Sequence, residues 1–325
     1  MIRRVLLVAA APVVAYLAVG PVSDRLARRL MDAPRRLPEE PGMAPALDRL
    51  GGEVVRLRSR DGVRLSARWL AAEPGEGWAP DPREAILLLH GWSGSVTPDL
   101  LDVGPFLRRT AGVLGLDFRG HGGSDDAPTS FGLNEVEDVA GALAWLGERG
   151  IRRVALVGSS MGGITAIAAV AILGDGRLGS ADADPAAPAA TVDAPRPRIV
   201  AVVADSVTPE LALVVANRLR VPFGRRIANH AFTRMARRLG GDPRDTEPIA
   251  VIGLLEDLPV LLVHGTEDRT VRTEDADRLV AAASVGSRHL VIAGAGHGEG
   301  HAVDPAAYEA AVNLFLRDAF GAARP

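Results

Sequence analysis

Residues 154–162 read Val-Ala-Leu-Val-Gly-Ser-Ser-Met-Gly, an apolar run that leads directly into a glycine-bounded pentapeptide centred on Ser160. The apolar run predicts a buried strand, and the pentapeptide predicts a sharp turn into a helix. Such a turn strains the backbone of its central residue, and the glycines at 158 and 162 let the helix pass close to the strand. The hydroxyl of Ser160 would then stand clear of the sheet, where a general base can reach it. Because the pattern also occurs by chance, it needs support from the rest of the chain.

The composition narrows the chemistry that is available to Ser160. The chain has 325 residues, of which 47% are hydrophobic, and a formal net charge of -3. This is ample for one large α/β domain, and without a long basic stripe we expect no nucleic-acid partner. The chain has no cysteine, which removes thiol nucleophiles, disulfides and cysteine-based zinc sites. All 37 basic residues are arginine, so that a base for Ser160 has to be one of the seven histidines.

An uncharged segment lies near the N-terminus, at residues 5–23. At about 1.5 Å per residue, a helix of this length would match the hydrocarbon thickness of a bilayer. We predict that residues 1–33 form an uncleaved anchor, because Pro21 is a poor residue just after a cleavage site. A cleaved signal peptide and a helix buried in the folded domain remain alternatives. The prediction is membrane association through this segment, and the side of the membrane stays open because arginines flank both ends.

The rest of the chain predicts a linker over residues 34–52 and one α/β domain over residues 53–325. Residues 53–58 and 63–70 alternate in polarity around an Asp-Gly turn, which predicts a hairpin. Further strand-length runs and helical patterns then alternate. The strands are predicted at 85–89, 112–116, 154–157, 199–204, 260–263 and 290–293, and the clearest helices at 134–146, 161–173, 273–282 and 305–320. This order predicts a mostly parallel, eight-stranded sheet with helices on both faces and a site beyond the carboxyl ends of its strands.

Two segments interrupt the alternation. Residues 174–198 are rich in Ala, Asp and Pro and have little to bury, which predicts a flexible surface insertion. Residues 206–257 mix proline, arginine and amphipathic stretches, with Leu211, Val215 and Leu219 on one helical face. We therefore predict a small helical cap over the site.

Polar motifs follow several of the predicted strands. His90 and Gly91 begin a glycine-rich turn that could direct backbone amides at a developing oxyanion, with the Met161 amide as a second donor. An ordinary tight turn is the alternative. His121 lies in a glycine-rich run before the serine, and we interpret it as a structural loop residue rather than the base.

Candidates for a base and for a carboxylate that orients it follow the last two predicted strands. Asp268 could accept a hydrogen bond from a histidine Nδ1 and hold the imidazole in the useful tautomer, with Glu267 and Asp205 as rivals. His297 lies in a glycine-rich loop from which it could reach the serine, and His301 is its competitor. The resulting chain order is serine, aspartate, histidine.

One short motif contains side chains of the kinds that bind metal ions. Residues 297–301 read His-Gly-Glu-Gly-His, which places two histidines and a carboxylate close together. Helical zinc motifs need a rigid backbone between their histidines, and the two glycines argue against a helix. We therefore expect neither a metal nor a cofactor.

Taken together, these motifs resemble the α/β-hydrolase superfamily, most closely bacterial serine hydrolases of the esterase, lipase and serine aminopeptidase-like kinds. The resemblance extends over about residues 54–320 and implies the α/β-hydrolase fold. It implies Ser160 as the nucleophile, His297 as the base and Asp268 as the orienting acid. It also implies that the amides of Trp92 and Met161 form the oxyanion hole. The motifs are specific to the superfamily and leave the substrate open.

The expected function is hydrolysis of a small-molecule carboxylic ester through an acyl-enzyme on Ser160. An aminopeptidase-like peptidase or an acyltransferase would use the same residues, and a membrane-tethered binding protein is the non-enzymatic alternative. A peptidase needs acidic groups to hold a substrate amine, whereas the predicted cap is rich in arginine. The arginines in question are Arg225, Arg226, Arg234, Arg237 and Arg238. The natural substrate and the oligomeric state stay open.

Overall fold

The computed structural model describes residues 20–32, 42–75, 77–174, 196–284 and 286–323. Most of the predicted insertion, residues 175–195, lies outside these ranges, as do residues 5–19 of the predicted membrane segment. Within the described ranges, no helix combines the length and the apolar character needed to cross a bilayer. Membrane association through residues 5–23 stays a prediction from the sequence.

The centre of the fold is one sheet of eight strands, which confirms the predicted architecture. The strands are β1 (Glu53–Arg58), β2 (Arg64–Leu70), β3 (Glu84–Leu89), β4 (Gly112–Leu116), β5 (Arg153–Ser159), β6 (Arg198–Asp205), β7 (Val260–Gly265) and β8 (Arg288–Ile292). Their order is β1-β2-β4-β3-β5-β6-β7-β8. β2 is antiparallel to both of its neighbours, and all the other pairs are parallel.

Burial along the strands follows from their positions in the sheet. β3, β4 and β7 are buried at every residue because helices cover both faces of the sheet there. β1 lies at the edge and alternates between exposed and buried residues in its second half. The predicted hairpin turn is present, with Gly62 at a φ of 97°, a conformation that favours glycine.

Helices surround the sheet. They are α1 (20–31), α2 (Met43–Arg49), α3 (Val96–Asp102), α4 (Gly104–Leu107), α5 (Glu135–Glu148), α6 (Met161–Leu173), α7 (Leu211–Leu219), α8 (Gly224–Leu239), α9 (Pro248–Val251), α10 (Thr273–Ala282), α11 (Gly300–Val303) and α12 (Pro305–Ala323). One hydrophobic cluster joins the sheet to α1 and α5–α10. A second cluster, on the opposite face, joins it to α2, α3, α4 and α12. The predicted helical cap over residues 206–257 is formed by α7, α8 and α9 with two short 3₁₀ turns.

The N-terminal region differs from the sequence prediction. Residues 20–23, predicted as the end of the membrane segment, belong instead to α1, which packs against α8. Ser23 is fully buried (0% exposed) and donates a hydrogen bond of 3.2 Å to the Ile227 carbonyl. Asp24 forms an ion pair of 2.6 Å with Arg238. The sequence did not reveal the start of α1, because its first four residues belong to the uncharged run, whereas its other apolar residues lie beyond Asp24.

The predicted linker over residues 34–52 also contains regular structure. Residues Met43–Arg49 form α2, and Leu47 in this helix is fully buried (0% exposed). The helix is short and contains Pro45 in its first turn, so that neither length nor periodicity marked it in the sequence. Its formation rests on packing against α3 and the sheet.

A buried ion-pair network ties the loop after β4 to the rest of the fold. The guanidinium of Arg119 contacts Asp138 and Asp61, in each case at 2.8 Å. The side chain of Asp138 is fully enclosed (0% exposed). Arg119 therefore supplies the positive charge that balances the buried Asp138 carboxylate.

Replacing Arg119 with methionine should lower the free energy of unfolding by about 3–5 kcal/mol, because it leaves the Asp138 carboxylate buried without its counter-ion. Urea denaturation of both proteins measures the difference. Arg64→Met is the control, since Arg64 forms an exposed ion pair with Asp125 and its loss should change stability little. Equal effects of the two substitutions would contradict the assigned role of Arg119.

Candidate active site

Ser160 occupies the turn between β5 and α6. Its backbone has φ 51° and ψ -114°, a strained conformation for a residue other than glycine. The Ser160 amide is held by the Asp205 carbonyl at 2.8 Å. A Cβ added to Gly158 would lie 2.4 Å from the Gly162 carbonyl carbon, and one added to Gly162 would lie 2.1 Å from the Leu89 oxygen. The two glycines therefore permit the close approach that presents the serine.

The structure brings three predicted residues together. His297 Nε2 lies 3.0 Å from Ser160 Oγ, and His297 Nδ1 lies 2.7 Å from Asp268 Oδ2. These contacts fix the tautomer, because the carboxylate can only accept, so that Nδ1 carries the hydrogen. Nε2 is then free to accept the proton of the serine hydroxyl. This arrangement can increase the nucleophilicity of Ser160.

Asp268 is positioned by the backbone that follows β7. Its Oδ1 accepts hydrogen bonds from the amides of Thr270 and Val271 at 2.7 and 2.8 Å. Burial by itself raises the pKa of this carboxyl, but the hydrogen bond with His297 and the two amides outweigh burial and hold the pKa below its ordinary 3.8. The side chain is therefore a carboxylate at neutral pH.

Asp205, the predicted rival of Asp268, lies at the end of β6 and serves different contacts. It accepts hydrogen bonds from the hydroxyls of Ser206 and Tyr308 at 2.8 and 3.1 Å. Ser206 Oγ in turn accepts the Gly298 amide at 2.9 Å. Asp205 thus connects the loop that carries His297 to the sheet. Sequence reasoning missed Ser206 and Tyr308, although the position of Ser206 directly after a strand was a usable signal.

The other candidate histidines form their hydrogen bonds with groups other than Ser160. His121 is buried, where Nε2 accepts the Ser93 amide at 3.2 Å and Nδ1 donates to the Arg119 carbonyl at 2.9 Å. His301 lies on α11 and contacts Asp102 and Glu309 at 2.8 and 3.2 Å. His297 and His301 thus have separate partners. The described ranges contain no group of three or more side chains suited to holding a metal ion.

The candidate oxyanion donors come from two elements that meet at Ser160. Met161 is the first residue of α6, so its amide has no carbonyl one turn earlier to bond. Trp92 follows the turn at His90, whose Nδ1 donates to the Gly91 carbonyl at 2.7 Å and whose Nε2 accepts the Phe118 amide at 3.1 Å. Burial, with nearby His121, lowers the pKa of His90 to about 3, which keeps the ring neutral.

The Trp92 side chain links this turn to the N-terminal helix. Its indole Nε1 donates a hydrogen bond of 3.2 Å to the Leu30 carbonyl in α1. The indole also stacks on Phe131, with ring centroids 6.1 Å apart. The position of the turn after β3 therefore depends on α1.

Two cavities meet at Ser160. The first is apolar, has a volume of about 370 Å³ and lies between α1, α6, α7 and α8. Its apolar lining includes Leu26, Leu30, Phe131, Met161, Ile164, Leu211, Val214, Val215, Leu219 and Phe232. The second has a volume of about 290 Å³ and is lined by polar groups and glycines of the loops after β3 and β8. Trp92 and Arg218 line both cavities.

The arginines that the sequence placed in the cap do not line either cavity in the described structure. Arg225 forms an ion pair with Glu210, and Arg238 pairs with Asp24. Arg218, which sequence reasoning did not single out, is the cap arginine beside Ser160. It was missed because its position depends on how α7 packs over the sheet.

Comparison with known proteins supports a family assignment. The sequence matches the alpha/beta hydrolase family over residues 86–311, and the chain belongs to this family. Membership supports a hydrolase that acts on small molecules. A search of curated proteins gave no significant match.

Several solved structures share the fold. An esterase of Pyrococcus furiosus superimposes with a TM-score of 0.60 and 20% identity, covering 84% of this chain and 93% of its own. A puromycin hydrolase gives a TM-score of 0.59 and 21% identity, covering 83% of this chain and 39% of its own. A membrane phospholipase A, described as a bacterial virulence factor, gives 0.54 and 17%, covering 98% and 99%. At these identities the likeness is one of fold.

Proposed function

We propose that this protein is a serine hydrolase that cleaves carboxylic esters through an acyl-enzyme on Ser160. The observation that carries the proposal is the hydrogen-bonded chain from Ser160 Oγ through His297 to Asp268, at 3.0 and 2.7 Å. This chain begins at a strained turn and opens onto an apolar cavity. A serine, a base and an orienting carboxylate in this geometry suit acyl transfer.

The proposed reaction proceeds in two halves. Ser160 Oγ attacks the ester carbonyl carbon while His297 Nε2 takes the hydroxyl proton, and Asp268 stabilises the imidazolium. The amides of Trp92 and Met161 stabilise the oxyanion, each donor contributing about 3–4 kcal/mol. The tetrahedral intermediate collapses as His297 returns the proton to the leaving alcohol. Water, deprotonated by His297, then attacks the acyl-enzyme and releases the acid and free Ser160.

The two cavities suggest how a substrate lies. We place the acyl chain in the apolar cavity, where each buried methylene contributes about 0.8 kcal/mol. The alcohol portion then occupies the second, more polar cavity. The Leu26 and Leu30 side chains of α1 line the acyl side, so α1 takes part in substrate selection.

One observation favours amide hydrolysis as a second candidate. Asp99 lines the second cavity and could hold a substrate amine. Burial and the nearby carboxylates of Asp102, Asp205 and Asp117 raise the pKa of Asp99 to about 7, so that it is only partly ionised at neutral pH. A partly neutral carboxyl is a weak partner for an ammonium group, and we therefore rank ester hydrolysis first. Matched octanoyl and aminoacyl p-nitroanilides, assayed beside p-nitrophenyl octanoate, test the order.

Leu26→Trp should shorten the acyl cavity. We expect kcat/KM for p-nitrophenyl octanoate to fall about 10-fold, because excluding even two methylenes forfeits about 1.6 kcal/mol. The value for p-nitrophenyl acetate should stay within about twofold, because a short acyl group does not reach the new indole. Val22→Trp is the control, since Val22 lies on the same helix, is 49% exposed and does not line the cavity. A uniform loss over both esters would contradict the assignment of the acyl side.

A further inference from the structure

Arg218 stands where the two cavities meet. It lies in the last turn of α7 and lines both the apolar and the polar cavity beside Ser160. Its guanidinium carbon is 6.0 Å from the centre of the Trp92 ring. A group attached a few bonds from a scissile ester at Ser160 would therefore come within reach of this cation.

Within the described ranges Arg218 has no carboxylate partner, whereas one arginine in each of α1, α8 and α10 has one. Arg28 and Arg238 pair with Asp24 at 2.5 and 2.6 Å, and Arg278 pairs with Glu210 at 2.7 Å. The Arg218 side chain as a whole is exposed, but protein atoms around its guanidinium lower its pKa, while the nearby charge of Asp268 acts in the opposite direction. A guanidinium that lines both cavities without a contacting anion gains from binding one, because its planar donors fit phosphate and carboxylate oxygens.

A second cation lies beside the apolar cavity that Arg218 lines. Arg29 of α1 lines the apolar cavity, is exposed, and likewise forms no ion pair in the described part of the chain. Arg29 and Arg218 line the apolar cavity from α1 and from α7, and the residues that line it include no acidic side chain. The charge at this cavity is therefore positive.

We propose that Arg218 binds an anionic group on the alcohol portion of the substrate, so that the preferred substrates are acyl esters of phosphate- or carboxylate-bearing alcohols. This inference rests on the proposed function and specifies its substrate class. The acyl chain lies in the apolar cavity, the anionic alcohol extends into the polar cavity, and Arg218 spans the junction. Arg29, which lines only the acyl cavity, attracts the same substrates without contacting the alcohol portion.

Asp99 is the opposing charge in the polar cavity. It shares that cavity with Arg218, and its neighbours Asp102, Asp117 and Asp205 disfavour its ionisation. The guanidinium stays charged at every pH at which the enzyme would work. An anion therefore finds a full positive charge there, whereas a cation finds only a partial negative one.

Four octanoyl esters that differ only in the alcohol test the inference: phosphoethyl, carboxymethyl and methoxyethyl octanoate, and octanoylcholine. The wild-type kcat/KM should be about 10-fold higher for the phosphate ester than for the neutral methoxyethyl ester. Arg218→Gln should bring the ratio of the two rates down to about one, because the anionic ester loses more than the neutral one, and Arg218→Lys should restore part of the ratio. Raising the salt concentration should weaken the wild-type preference. The carboxymethyl ester separates a need for phosphate from a need for any anion.

The matched control is Arg220→Gln, because Arg220 follows the same helix and is exposed like Arg218, but lines neither of the two cavities at Ser160. It should leave all four rates unchanged. Three results would overturn the inference: no wild-type preference for either anionic ester, an equal loss over neutral and anionic esters in Arg218→Gln, or fastest turnover of octanoylcholine. Failure of the proposed function would look different, since the neutral ester itself would then not be hydrolysed in a Ser160-dependent way.

Discussion

Replacing Ser160 with alanine is expected to reduce the hydrolysis of p-nitrophenyl octanoate by about 10⁴-fold or more. The substitution removes the oxygen that forms the acyl-enzyme, and no cysteine elsewhere in the chain can supply a substitute nucleophile. The fold should persist, because the strained backbone at residue 160 is maintained by its glycines and by the Asp205 carbonyl rather than by the hydroxyl. Initial rates and circular dichroism measure the two properties separately.

Ser159→Ala is the matched control for this experiment. Ser159 is the neighbouring serine at the end of β5, and its hydroxyl has no part in the contacts of His297. A fluorophosphonate probe should label the wild type and Ser159→Ala but not Ser160→Ala. Undiminished turnover by Ser160→Ala, or a wild type that hydrolyses esters without being labelled, would refute Ser160 as the nucleophile.

The second large effect is expected for Asp268→Asn, with a loss in kcat of about 10⁴-fold. An asparagine amide would offer an N–H to His297 Nδ1 and favour the tautomer with its hydrogen on Nε2. That nitrogen could then no longer accept the serine proton. Glu267→Gln is the control, because Glu267 is the adjacent exposed acid and should be replaceable without loss. Similar losses in both variants would contradict the role of Asp268.

The wild type and Asp268→Asn should also differ in how their stability depends on pH. Because the folded-state pKa of Asp268 is held below 3.8, the unfolded chain binds the proton more readily than the folded one. This contribution to stability is present above the unfolded pKa and is lost as the pH falls through the folded pKa. The free energy of unfolding should therefore decline more steeply below about pH 4 in the wild type than in Asp268→Asn. Parallel declines would indicate that Asp268 is not stabilised as an anion in the folded state.

Strong local patterns made much of the fold predictable. β4 (Gly112–Leu116), α6 (Met161–Leu173) and α10 (Thr273–Ala282) have the bounds that the sequence predicts, because apolar runs and helical periodicity end there at clear boundaries. Ser160, Asp268 and His297 were also identifiable, since each follows a strand whose carboxyl end lies at the same edge of the sheet.

The remaining features depend on packing between distant segments. α1 was concealed in an uncharged run, and its contacts with α8 arise only in the folded chain. The bond between Trp92 and the Leu30 carbonyl joins residues that no local pattern connects. Arg218 was overlooked in favour of other cap arginines because sequence periodicity does not tell which helix face turns toward Ser160.

The helix α1 has a consequence for how relatives of this protein are compared. It lies at residues 20–31, outside the stretch of 86–311 that matches the family, yet it lines the apolar cavity beside Ser160. If this cavity holds the acyl group, as we propose, changes before residue 32 would alter the choice of acyl chain without changing Ser160, Asp268 or His297. A comparison restricted to residues 86–311 would therefore leave out part of the wall of this cavity.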